Sequence, residues 1–450
     1  MKKKMLPAAV LAAAATFALA GCGSPATPVA SSPASGGASG GANQFAGVTL
    51  QYWASNQGAT AQDDVAALTP LLDEFTKETG AKVELNVIGW DQLETKINTA
   101  VASPSTAPDV LNIGNTWAAS LQATGAFVAF DAANMDAVGG ASKFVPSALA
   151  TGGKPGTDPT SLPLYGLAYG LFYNKAMFSA ANLQPPTTWE EMVQDAKTIQ
   201  AANKGVYGIT LRAGSYTENV HWAFMTAEQN CGSFADNDGN PTFNTDANAQ
   251  GILRYLDLMQ TDKVVNIADV NATSSNSGNT ANFAKGQAAM LLNQNNAINY
   301  LSQNNAPDYG VVPLPSPADS KCPTASHLAG INISIFKNTQ HLDAALALVK
   351  YMTSESVQSQ LDKPFAALPV LANVSPSFTD DTDIANQFVT VYDTLAKPMP
   401  LTSWEGDFET NVGNGMTPLF QKIQQGGTVS LADVKAMLDK AQQQTVTANQ

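Results

Sequence analysis

The sequence predicts an α/β protein of two domains, and three observations carry that prediction. Apolar runs with strand periodicity alternate with amphipathic helical patterns along the first part of the folded body. That body, from about Val48 onward, holds roughly 400 residues, more than a single hydrophobic core usually organises. The apolar run over residues 164–173 reads as one long strand carried across a domain boundary. Alternation of strand and helix specifies a parallel sheet flanked by helices, with ligands beyond the carboxyl ends of the strands.

Residues 48–53 open the body as a strand, and Val65, Leu68, Leu71, Leu72 and Phe75 then mark one face of a helix stopped by Gly80. Pro70 lies inside that pattern and predicts a kink or a late start. Val83, Leu85 and Val87 alternate as in a strand, and Asp91 with Glu94 reads as a capping box for a helix to about Ala102. Residues 108–113 form a short buried strand. The second unit begins near Pro163, and Thr188 with Glu191, just after Pro186, caps its first long helix. Asn237-Asp238-Gly239-Asn240, between Phe234 and Phe243, marks a tight turn. Helices follow at about 245–260, 281–285 and 297–303, strands at 288–292 and 331–336, and amphipathic helices close the chain.

The N-terminus carries its own message. Lys2, Lys3 and Lys4 precede an apolar, Ala-rich stretch over residues 5–19, which reads as a signal segment over residues 1–21 rather than a membrane span. Leu19-Ala20-Gly21-Cys22 resembles the lipobox of bacterial lipoproteins, which implies acylation of Cys22 and a protein held at the cell membrane on its extracytoplasmic face. Several acyl chains make such an anchor stable, at about 0.8 kcal/mol per buried methylene. Residues 22–47 are mostly Ser, Gly, Ala, Pro and Thr, a composition expected to stay flexible as a tether.

The formal net charge is −14, and Arg212 and Arg254 are the two arginines of the chain. Such a composition argues against nucleic acid, where cationic contacts supply most of the affinity. It favours a neutral ligand over an anion, and leaves a polyamine open. Cys231 and Cys322 are candidates for one disulfide in an oxidising compartment, with two free thiols as the alternative. His221, His327 and His341 are scattered, and no HExxH pattern or Cys/His cluster suggests a metal; no cofactor motif is found either. The Gly-x-Ser-x-Gly match at Gly37 to Gly41 falls in the tether, where nothing could hold a nucleophile. A lipid-anchored glycoside hydrolase is the rival of a different class. The close carboxylate pairs Glu190-Glu191 and Asp236 with Asp238 are explained by capping and by a turn, so a binding protein rather than an enzyme is expected.

Several segments in order resemble the extracellular solute-binding proteins of bacterial ABC transporters, of the maltodextrin-binding type. They are Phe75-Thr76-Lys77-Glu78-Thr79-Gly80, Pro108-Asp109-Val110, Tyr173-Asn174-Lys175, Pro186-Thr187-Thr188-Trp189-Glu190-Glu191, Gly286-Gln287-Ala288-Ala289-Met290 and the region bearing Trp404. The resemblance implies a two-lobe, periplasmic-binding-protein-like fold of the class II type with a hinge of two or three crossing segments. Lobe one would hold 48–164 with 329–376, and lobe two 165–328 with 377–446. It implies a carbohydrate bound between the lobes, permease subunits and a separate ATPase as partners, and a monomeric binding protein.

Sugar sites pair flat aromatic rings with amide and carboxylate side chains. On that chemistry and the resemblance, Trp53 and Asn56 after the first strand, and Asn115 and Trp117 after the third, are expected at the cleft. Tyr165 and Tyr169 share a face of the crossing strand, and Glu218 and Trp222 lie one helical turn apart. After Met290 the family often carries a tryptophan; here Leu292-Asn293-Gln294-Asn295-Asn296 stands instead, which shifts the expectation to amide hydrogen bonding by Asn295. Gly330 and Asn332 mark the return hinge. Trp404, with Glu405 and Asp407, matches a ligand-stacking position and is the foremost expectation, whereas Trp90 and Trp189 read as packing residues.

Overall fold

The computed structural model describes residues 43–273 and 278–450. The signal segment, Cys22 and the tether up to residue 42 lie outside the described residues. Eleven strands are described: β1 (Thr49–Ser55), β2 (Lys82–Ile88), β3 (Val110–Gly114), β4 (Ser161–Leu167), β5 (Tyr169–Asn174), β6 (Tyr207–Thr210), β7 (Ala288–Gln294), β8 (Tyr309–Val312), β9 (Ser326–His327), β10 (Ala329–Ile335) and β11 (Ala396–Lys397). They form a five-stranded sheet in the order β2-β1-β3-β10-β4, a four-stranded sheet in the order β6-β7-β5-β8, and the small pair β11-β9.

In the first sheet β1 runs parallel to β2 and β3, as the alternation of strand and helix predicts, while β10 inserts antiparallel between β3 and β4. Leu50, Tyr52, Val110, Leu162, Ile333, Leu348 and Leu361 belong to the core around this sheet. A second core gathers Phe172, Met192, Ile209, Tyr255, Leu291, Phe408 and Leu438 around the other sheet. Each sheet therefore has its own apolar centre, the arrangement that a chain of this length adopts instead of one oversized core.

Three segments cross between the two centres. Ala168 alone separates β4 from β5, so residues 161–174 are in effect the single long strand that the apolar run predicts. Leu328 alone separates β9 from β10. The third crossing follows Phe365: Leu368 pairs with Gly166, and Phe378 already lies in the second core. One amide side chain joins two of these crossings, because Asn295 Oδ1 accepts from Ala168 N at 2.8 Å while its Nδ2 donates to Ala366 O at 2.5 Å. Asn115 Nδ2 holds the remaining one through Leu328 O at 2.8 Å.

Two local expectations are corrected. The Ala61–Thr79 helix starts at a Thr60/Asp63 capping box and runs through Pro70, which sits on its exposed face. The next helix, Trp90–Ala102, is capped by Gly89 with no side-chain cap bond, so Glu94 is not a capping residue. Its carboxylate reaches the other half of the molecule instead, accepting from Tyr216 OH at 2.9 Å. The Thr188/Glu191 capping box does form, on the Trp189–Ala202 helix. Cys231 and Cys322 are bridged, with Cα atoms 5.3 Å apart.

Candidate functional site

A cleft of about 650 Å³ opens where the carboxyl ends of β1 and β3 face the Tyr216–Glu228 helix and the crossing segments. This is the position that an open α/β sheet offers a ligand. One wall comes from the first half of the chain. Asn56 and Gln57 follow β1, Trp90 starts its helix, and Asn115, Thr116 and Trp117 follow β3. The indoles of Trp90 and Trp117 meet edge to face at 5.6 Å, an arrangement favoured by their quadrupoles. Trp90 Nε1 donates to Asn56 O at 2.7 Å, which fixes its ring.

The opposite wall is the start of the Tyr216–Glu228 helix, capped by Ser215, which presents Tyr216, Glu218 and His221. Arg212 lies against Glu218 as an ion pair, its side chain 18% exposed and that of Glu218 3%. Tyr169 OH lies 2.9 Å from both Glu218 Oε1 and His221 Nδ1. His221 and His327 rings are 4.0 Å apart. Burial, helped by the Arg212 charge, pushes His221 down to about 3, and burial with the neighbouring His221 pushes His327 well below the ordinary histidine range. Both imidazoles are therefore neutral at physiological pH. Neither nitrogen of His327 has a partner within the protein, although the residue lines the cleft and is 1% exposed.

At the Trp117 end, carboxylates gather where the two halves meet. Glu409, from the Glu405–Gln424 helix, lines the cleft while facing Thr116 and Trp117. Burial pushes its carboxyl up to about 7, with the Glu94 charge adding to the rise. Glu94 is raised in the same way by burial, against the pull of the Tyr216 hydrogen bond.

The structure brings Asn56, Asn115, Trp117, Glu218 and Gly330 of the sequence-predicted residues to this cleft. The others are elsewhere. Trp404 is 5% exposed, donates from Nε1 to Gly239 O at 2.9 Å and packs against Phe243 and Phe408, so it closes the turn after Phe234 within the second core. Glu405 beside it is fully buried, its carboxyl raised well above the usual range first by burial and then by Glu409. Asp407 accepts from Asn449 at 2.7 Å, away from the cleft. Trp53 packs against the first half with Lys96 above its ring. Tyr165 is buried edge-on to Phe365, and Trp222 stacks on Tyr255. Tyr169 supports the cleft from below rather than lining it. Asn295 is the crossing pin described above, and Asn332 donates to Thr151 O and Ser161 Oγ inside the first core. A Cβ on Gly330 would lie 2.7 Å from Tyr165 O, so its size is demanded by the close pairing of β10 with β4.

Sequence reasoning missed Trp90, Tyr216, His221, His327 and Glu409 as cleft residues. A signal existed for one of them. His221 lies three residues after Glu218 and shares its face as well as Trp222 does at four. Gln294, the last residue of β7, and Asn296 in the turn after it line the cleft on either side of Asn295.

A family model described as bacterial extracellular solute-binding protein matches residues 43–359. The diacetylchitobiose binding protein DasA of Streptomyces coelicolor is 23% identical over 373 residues, covering 82% of this chain and 82% of that relative. The fold is that of the GacH receptor of Streptomyces glaucescens, solved unliganded and with acarbose. The two match with a TM-score of 0.71 at 22% identity over 89% of this chain and 97% of the receptor. Maltose-bound MalE3 of T. maritima gives a TM-score of 0.74 at 18% identity, over 88% of this chain and 99% of that one.

Proposed function

The chain belongs to the bacterial extracellular solute-binding proteins, and from that premise we propose that it binds a neutral carbohydrate, mono- or oligosaccharide, in the cleft between two lobes and delivers it to an ABC permease. The observation that carries this reading is the cleft lining itself. Two tryptophans stand on one wall, and Asn56, Asn115, Gln294, Asn296, Glu218 and neutral histidines surround them. Flat apolar faces beside convergent donors and acceptors match a ring with C–H faces and a hydroxyl rim. The ligands named for DasA, GacH and MalE3 are carbohydrates or carbohydrate-like and support the same class.

In this reading lobe one comprises residues 48–167 with 329–376 and lobe two 168–328 with 377–446, the first boundary being taken at Ala168, between β4 and β5, in place of Leu164. Closure over the sugar is a population shift driven by the contacts that only the closed cleft makes. As an extracellular solute-binding protein the chain works outside the cytoplasm, and among the described residues no helix is long and apolar enough to cross a membrane. Anchoring through acylated Cys22 supplies the membrane link. Cys22→Ser should therefore move the protein from the membrane fraction to the medium, and a processed chain that stays with the membrane would refute the anchor. The protein acts as a monomer, and the sugar leaves it unchanged. Chromatographic detection of shorter saccharides after incubation would overturn the latter in favour of a hydrolase.

The direct test is a thermal-shift panel of saccharides, polyamines and amino acids on the chain from Val48 onward, with calorimetry on the hits. A shift confined to saccharides is expected; one confined to polyamines would remove the carbohydrate assignment. With the ligand in hand, Trp117→Ala should weaken binding by about 2 kcal/mol, roughly 30-fold, without unfolding the protein. Unchanged affinity would exclude Trp117 as a stacking surface.

A further inference from the structure

Arg212 is the sole Lys or Arg side chain lining the cleft among the described residues. A guanidinium is a rigid fork that fits carboxylates and phosphates bidentately, so an arginine in a binding cleft ordinarily reads as an anion site. Here that position is already filled. Glu218 lies against the guanidinium from the same wall, fixed by its place in the first turn of the Tyr216–Glu228 helix and by the Tyr169 hydroxyl. The other arginine, Arg254, is far from this duty, donating to Thr226 O and Gln229 and lying over Trp189. The wall therefore contains a positive charge that is cancelled internally.

The pair is joined through Arg212 Nη2 and Glu218 Oε1, and one buried donor and one buried acceptor of it are left over. Arg212 Nε and Glu218 Oε2 are both buried and have no partner within the protein. A hydroxyl, which donates and accepts at once, satisfies both; an anion satisfies the first and is repelled by the second. Displacing Glu218 to admit an anion would leave a buried carboxylate without its counter-charge, which is strongly unfavourable.

We propose that Glu218 sets the charge selectivity of this cleft by occupying the anion position on Arg212, so that carboxylated and phosphorylated sugars are rejected and neutral ones admitted. The inference rests on the carbohydrate reading for its physiological meaning, but its physical content concerns the Arg212–Glu218 pair alone. Removing the carboxylate leaves a half-desolvated guanidinium that must recruit a counter-ion from solution. His327, whose ring lies 4.0 Å from that of His221 and whose two nitrogens have no partner within the protein, also lines the cleft and can donate one hydrogen bond to such an anion.

The test uses the mature chain and three probes: glucuronate, glucose 6-phosphate and inorganic sulfate, each measured by thermal shift and calorimetry at low salt. Wild type should bind none of them. Glu218→Gln should bind all three at least about tenfold more tightly than wild type, with an affinity that falls as salt is raised, and adding Arg212→Gln to it should abolish the gain. Glu218→Ala, which leaves more room, serves if the Gln variant does not fold alone, and recovery of folding by sulfate would count for the proposal. Wild-type binding of any probe as tightly as the variant, or a folded Glu218 variant that gains nothing, overturns it. Failure of the carbohydrate reading would be seen separately, as the absence of any neutral saccharide among the wild-type hits.

Discussion

Replacing Cys231 and Cys322 together by serine should lower the stability of the protein by about 4 kcal/mol. The bridge closes a loop with a sequence separation of 91 residues, so its loss restores a large conformational freedom to the unfolded chain. Little should change in the folded state, because the same two segments are tied independently. Gln229 Nε2 donates to Pro315 O at 3.2 Å and to Thr324 O at 2.8 Å, and Ser320 Oγ donates to Gln229 O at 2.6 Å. Ligand affinity should therefore survive. Urea unfolding of the oxidised protein and the double variant checks this: an unchanged midpoint would show that the unfolded chain does not feel the constraint, and a lost ligand site would show that the bridge shapes the fold.

Glu409→Gln should stabilise the protein by roughly 3 kcal/mol at pH 8 and by almost nothing at pH 4.5. In the folded state this carboxyl is pushed up to about 7 from an ordinary 4.5 by burial. Below 4.5 both folded and unfolded states hold the proton, and the group is neutral in each. As the pH rises, the unfolded state releases its proton first, so stability falls until the folded-state value near 7 is passed, and stays lowered above it. Glutamine removes that loss at nearly unchanged size and shape. His221 and His327 act with the opposite sign: held neutral in the fold, they lose stability as the pH falls through the unfolded value of 6.5. They are common to both proteins, so the difference between variant and wild type removes their part and leaves Glu409 together with its effect on the neighbouring Glu405. Urea midpoints at the two pH values give the answer, and an equal effect at both would reject a titrating carboxylate.

The fold was legible in the sequence where periodicity alone decides it. The strand-helix succession from β1 to β3, the crossing strand at residues 161–174 and the Thr188/Glu191 cap all follow from local pattern. The cleft was legible only in part, because β7 ends at Gln294 and the turn after it decides where each amide points. Asn295 points to the crossings, while Gln294 and Asn296 face the cleft, and composition cannot choose between them. Glu94 illustrates a second limit. Its spacing from Asp91 suits a local cap, yet its partner Tyr216 comes from the other lobe, a contact that no local window contains. Trp90 lines the cleft and Trp404 lies in the second core for the same reason, since whether an indole borders a cleft or a core depends on which helix lies opposite.

The place of β10 in the first sheet has a consequence for how the protein is made. β3 ends at Gly114 and its sheet neighbour β10 begins only at Ala329. A chain that emerges from its N-terminus therefore carries an unpaired strand edge throughout the appearance of residues 115–328, and such an edge is a template for mispairing. The second core waits as well, for Phe408 and Leu438 near the C-terminus. Neither lobe can finish before nearly the whole chain is present, so folding is governed by long-range closure and is slow for the size of each part. Truncation just after β9 would leave two unfinished halves rather than one good one.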